Sequence, residues 1–90
     1  MNTLVTLRYF ARFRERLGRD EEVIALSEDM HSLRALRRLL AGRGPEWAEL
    51  LGPDATRLMV AVNQELFDPA QEVLLQPGDE IAFFPPVTGG

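Results

Sequence analysis

Residues 32–40 read SLRALRRLL, and this is the stretch with the strongest helical pattern in the chain. Leu33, Leu36, Leu39 and Leu40 recur at helical spacing and predict an apolar stripe. Arg34, Arg37 and Arg38 are assigned to the opposite side as a solvated face, the competing reading being a docking patch for an acidic partner. Ser32 can cap the first turn with its hydroxyl, and Gly42, Gly44 and Pro45 stop the helix. A chain of 90 residues holds one modest core. A single good helix must therefore bury its stripe against something else, and the remaining patterns supply a sheet.

Thr3–Tyr9 alternates, with Val5, Leu7 and Tyr9 on one face, as a half-buried strand does. Phe10–Leu17 reads as a short helix capped by Gly18, and Glu22–Leu26 as the next strand. Pro45–Leu51 fits a second short helix with proline in its first turn, and Trp47 is expected to anchor it at the core. Leu58–Val62 is a buried-looking strand, Asn63-Gln64 a turn, and Leu66-Phe67 a very short strand. Pro77-Gly78-Asp79 is a strong turn signal, and Glu80–Phe84 is the last strand. The expectation is an α+β fold, a mixed sheet with one main helix packed across it. Such a sheet has one covered face. Strand alternation then makes Phe83 core and puts Phe84 on the open face, substantially exposed, as part of a partner surface.

Composition narrows the function. There is no cysteine and one histidine, His31, so thiolate metal sites, disulfides and a side-chain thiol nucleophile are excluded, and no metal centre is expected. The formal net charge of −4 argues against a nucleic-acid partner. No apolar run approaches the ~20 residues a membrane helix needs, and the N-terminus does not read as a signal peptide, so a cytoplasmic protein without a membrane partner is expected. Charge is uneven: residues 1–43 carry nine arginines against six acids, whereas residues 44–90 carry Arg57 against eight. Every cation is arginine, so no side chain carries an amine.

The sequence ends FFPPVTGG. Pro85-Pro86 terminates the strand and favours an extended path, and six extended residues reach about 20 Å. Gly89 and Gly90 add no side chains, so they can thread a narrow channel and leave a terminal carboxylate open to attack. A carboxylate is a poor electrophile and must be activated, commonly as an acyl-adenylate. Capture by sulfur would give a terminal thiocarboxylate, and in a chain without cysteine no side chain could hold that sulfur instead.

FFPPVTGG, the preceding PGDEIAFFPP, and MVAVNQEL at Met59–Leu66 together resemble the small-subunit family of molybdopterin synthase, ubiquitin-like sulfur carriers of β-grasp fold. YFARFRERLG and SLRALRRLL sit where that family has its first helical segment and main helix, while residues 66–76 match loosely. The resemblance implies a β-grasp domain over residues 1–84 and a tail over 85–90. It implies that Gly90 is adenylated by a ubiquitin-activating-like adenylyltransferase that uses ATP, then thiocarboxylated from a sulfur donor protein. Pro86, Val87, Thr88 and Gly89 would enter the large synthase subunit, where the sulfur reaches a pyranopterin precursor; two deliveries build the dithiolene that binds molybdenum. Phe84, Leu66 and Phe10 match the family's hydrophobic contact surface. The chain would be a non-catalytic carrier subunit with no bound cofactor. Other acceptors (a thiazole precursor, a tRNA uridine, an activated serine), a protein modifier attached to target lysines, and an inert interaction domain are the alternative readings.

Overall fold

The computed structural model of the protein describes residues 2–86. Five strands and three helices follow one another as β1 (Thr3–Tyr9), α1 (Ala11–Leu17), β2 (Glu21–Leu26), a 3₁₀ turn (Glu28–Met30), α2 (Leu33–Ala41), α3 (Pro45–Leu51), β3 (Met59–Val62), β4 (Glu65–Phe67) and β5 (Glu80–Phe84). The strands form one mixed sheet in the order β2-β1-β5-β3-β4. β1 pairs antiparallel with β2 and parallel with β5, while β3 is antiparallel to both β5 and β4.

Local chemistry accounts for these elements. Ser32 Oγ accepts the Ala35 N–H at 3.0 Å, capping α2. Gly18 takes a left-handed φ of 73° at the end of α1 and donates its N–H to Arg14 O. Asn63 and Gln64 have φ of 51° and 71°. Two successive left-handed residues are what a tight two-residue hairpin requires, and here they join β3 to β4. Asn63 also ties that hairpin to β5. Its Nδ2 donates to Asp79 Oδ1 at 2.8 Å, and its Oδ1 accepts the Glu80 N–H at 3.0 Å.

The core lies between the sheet and the helices. Val5, Leu7 and Tyr9 of β1, Val60 and Val62 of β3, and Ile81 and Phe83 of β5 meet Leu33, Leu36 and Leu40 of α2, Phe13 of α1 and Leu51 of α3. Each fully buried leucine contributes about 1.5–3 kcal/mol relative to an exposed one. The covered face is therefore the one expected, with Phe83 completely buried. Trp47 is half-buried against this core, its ring edge-on to Tyr9 at 5.7 Å.

Two expectations for α2 fail. Leu39 is 51% exposed and is no part of the stripe. At about 100° per residue it stands about 60° beyond Leu36, past the edge of the buried arc formed by Leu36, Leu40, Leu33 and Arg37. Arg37, assigned to the solvated face with Arg34 and Arg38, is 3% exposed. It projects from the stripe and clamps two loops. Its Nε donates to Leu51 O (3.0 Å), Nη2 to Gly52 O (2.6 Å) and Ala55 O (2.8 Å), and Nη1 to Pro69 O (2.6 Å). Four backbone carbonyls replace the water that a buried guanidinium loses, and burial still lowers its pKa from the ordinary value. Gly52 sits at a close approach: a Cβ there would lie 2.6 Å from Ala48 O.

Candidate functional site

The parallel β1–β5 register sets the geometry. Tyr9 lies opposite Phe83, so the residues just beyond them, Phe10 and Phe84, come together where β5 ends. Their rings meet edge-to-face at 6.4 Å and 85°. Ala11, with φ of 54°, makes the sharp turn from β1 into α1. Phe10 N–H donates to Phe83 O at 3.1 Å and anchors that turn to β5.

Along β3 the alternation places Met59 opposite Phe84 and Ala61 opposite Ala82, and β4 adds Leu66 opposite Ala61. Phe10, Phe84, Met59 and Leu66 thus line one apolar area over small alanines on the uncovered side of the sheet. Leu66 is 58% exposed and Phe10 37%. Phe84 lies on the open face as expected, but it is half-buried rather than substantially exposed, because Phe10 leans its ring on it. Pro85 and Pro86 follow directly and are half-buried. Val87, Thr88, Gly89 and Gly90 lie outside the described residues.

Sequence reasoning did not single out Met59 or Arg8. Parity held the signal for both. Met59 shares the face of Ala61 in β3, and Arg8 shares the face of Thr6, opposite Val5, Leu7 and Tyr9. Arg8 stacks over the Phe10 ring at 5.2 Å and sits 3.6 Å from Glu21 and 4.0 Å from Glu80. It marks a charged border beside the apolar area.

Behind that border a polar cluster rigidifies the same end of the sheet. Tyr9 Oη donates to Glu22 Oε2 at 2.7 Å; Arg43 grips both Glu22 oxygens at 2.7 and 2.8 Å, and Arg19 adds 3.1 Å. Arg43 and Arg19 lie over the Trp47 ring at 4.6 and 5.5 Å. The Arg43 bond holds the Glu22 carboxyl below its usual range, with a smaller push from Tyr9 against the cost of burial. Burial and the bond to Glu22 raise the Tyr9 phenol. Every charge here has a partner, so the cluster is a fixture of the fold and leaves recognition to the apolar area. Among the described residues no group of His, Cys, Asp and Glu could hold a metal ion.

The ThiS family profile matches residues 7–90. The molybdopterin synthase sulfur carrier subunit of Haemophilus influenzae is 42% identical over 87 residues, covering 97% of this chain and 100% of that protein. The subunit of the same name from Escherichia coli is 40% identical over 89 residues, covering 97% and 100%. A chain from the Helicobacter pylori complex of subunits 1 and 2 of molybdopterin-converting factor superposes with a TM-score of 0.66 at 27% identity, covering 98% of this chain and 100% of its own.

Proposed function

The chain belongs to the ThiS family, and on that premise we propose that it is the sulfur carrier subunit of molybdopterin synthase. The observation that carries this is the pairing of β1 with β5. It gathers Phe10, Phe84, Met59 and Leu66 into one apolar face at the point where the chain leaves the sheet toward Gly90. A carrier needs a body that a partner grips and an end that reacts, and this face adjoins Pro85-Pro86. The proposed division is a β-grasp body over residues 1–84 and a reactive tail over 85–90.

The chemistry follows from the terminal carboxylate. A carboxylate oxygen of Gly90 attacks the α-phosphorus of ATP in a ubiquitin-activating-like adenylyltransferase, and pyrophosphate leaves. A sulfur nucleophile then attacks the acyl carbon, AMP leaves, and the terminus is a thiocarboxylate. The apolar face docks on the large synthase subunit. Pro86, Val87, Thr88 and Gly89 carry the sulfur into its active site, to the pyranopterin precursor. The protein binds no cofactor of its own in this scheme; ATP is consumed by the activating partner. Cytoplasm is the proposed compartment, and among the described residues no helix is long and apolar enough to cross a membrane.

Reconstitution with activating enzyme, ATP and a sulfur source, followed by intact mass, tests the proposal. The native chain gains the mass of one oxygen replaced by sulfur. Deleting Gly90 shortens the reach by about 3.3–3.6 Å, and a misplacement of about 1 Å can already cost a hundredfold. The truncated chain therefore stays folded and unmodified, and Gly89→Val fails in the same way by blocking the channel. A truncated chain that is thiocarboxylated and supports molybdopterin formation as well as the native one refutes the mechanism. Stable adducts on many cellular proteins would instead identify a modifier.

A further inference from the structure

α2 turns its outer side away from the sheet and hence away from the apolar docking face. That outer side carries Arg34, Arg38 and the unexpectedly exposed Leu39, and α2 contains no acid. Neither Arg34 nor Arg38 has an ion-pair partner among the described residues. They stand four apart on one helix, and such like-charge pairs destabilise a helix slightly. Arg34 also adds to the lowering of the Arg37 pKa, as a neighbouring like charge does. A protein of net charge −4 thus concentrates unpaired positive charge on one helix surface.

Beside that charge runs an apolar strip. Met30, Leu39 and Leu74 are 52%, 51% and 62% exposed. Two shallow depressions share Met30 and Ala35; one extends to Leu39 and the other to Leu74, Arg34 and Arg38. Asp29 and Glu72 also line the second depression. Apolar residues flanked by paired arginines fit a partner segment with an apolar stripe and carboxylates along one edge.

We propose that this α2 face docks the protein that delivers sulfur to the activated terminus, through an acidic, apolar segment of that donor. The inference rests on the carrier reading above and adds to it. Sulfur must arrive while the activating enzyme holds the tail and its adjoining docking face. The α2 surface lies on the opposite layer, so it is open to a third protein at that moment. The step itself balances as follows. The terminal sulfur of a donor persulfide loses its proton to solvent and attacks the acyl carbon of the adenylate. AMP leaves, and an acyl disulfide joins the two proteins. Two electrons from a thiol reductant then split the S–S bond, releasing the thiocarboxylate and the donor thiol.

The test compares two sulfur sources in the reconstituted system, each acting on the adenylate without reductant, with dithiothreitol added only afterwards to split the acyl disulfide. One is a persulfide-forming cysteine desulfurase fed with free cysteine; the other is sodium sulfide, which attacks the adenylate directly and needs no docking. The double variant Arg34→Glu, Arg38→Glu is expected to slow thiocarboxylation from the desulfurase by about tenfold or more. Its sulfide-supported rate, its ATP-dependent pyrophosphate release and its melting curve stay native. Leu39→Asp behaves likewise, and Arg34→Lys with Arg38→Lys retains most of the rate. Equal loss in both sulfur arms, loss of pyrophosphate release, or no loss with the desulfurase each overturn the proposal. Failure of the native chain to accept sulfide would remove the carrier reading itself, and this proposal with it.

Discussion

Replacing Arg37 with methionine removes the guanidinium and keeps much of its apolar stem. The Leu51 and Gly52 carbonyls then lose their buried donors, whereas Ala55 O and Pro69 O stand in part-buried positions that water can reach. A stranded buried acceptor costs about 1–3 kcal/mol, so the two buried carbonyls together cost about 2–6 kcal/mol. The desolvation that lowers the Arg37 pKa is relieved at the same time and offsets part of this. The expected net loss is about 2–4 kcal/mol, against a total of about 0.05–0.15 kcal/mol per residue for a typical domain. At about 4–8 °C per kcal/mol for a chain of this size, Tm falls by about 10–30 °C. Thermal and urea melts followed by circular dichroism measure it, with Arg34→Met as the exposed control, expected within about 0.5 kcal/mol of native. Arg37→Lys restores charge without the planar fork and recovers only part of the loss. If Arg37→Met melts within about 3 °C of Arg34→Met, the four-carbonyl clamp contributes nothing and the account of this residue is wrong.

Leu36→Ala or Leu40→Ala should cost about 2–5 kcal/mol through lost burial and a residual cavity; an unchanged melt would deny that this face of α2 is core. Phe84→Ala should weaken binding to the large synthase subunit, read by calorimetry, by about tenfold or more while lowering Tm only modestly; the opposite ordering would make Phe84 a packing residue alone. Leu66→Asp puts a charge on an exposed position of the same face, so it should abolish binding and leave the melt unchanged. Because the Glu22 pKa is lowered in the folded protein, its contribution is present above the unfolded glutamate value of about 4.3 and disappears as pH falls through the lower folded value. Acid titration of stability should therefore be flatter over that window in Glu22→Gln than in the native chain, and parallel curves would contradict the assignment.

Much of the fold was legible in the sequence because its signals are local. Strand alternation in Thr3–Tyr9, the Ser32 cap, Gly18 at a helix end and the Asn63-Gln64 turn each depend on a few adjacent residues, and each element stands within a residue or two of where its pattern placed it. The family was legible too, through FFPPVTGG and the segments before it. The uncovered face of Phe84 followed from parity with Phe83, and the exposure of Leu66 and Phe10 fits their place on it. Only the tertiary structure decided the rest, because burial depends on what stands opposite a residue. Arg37 reads as one more arginine on a basic helix until the 51–55 loop and Pro69 bring four carbonyls to it. Leu39 reads as core in a leucine-rich stretch until the sheet covers an arc too narrow to include it. Phe10 and Phe84 are 74 positions apart in the sequence, and no local pattern brings them together. Their contact exists because β1 and β5 run parallel at the centre of the sheet, and that pairing places the apolar face beside the exit toward Gly90.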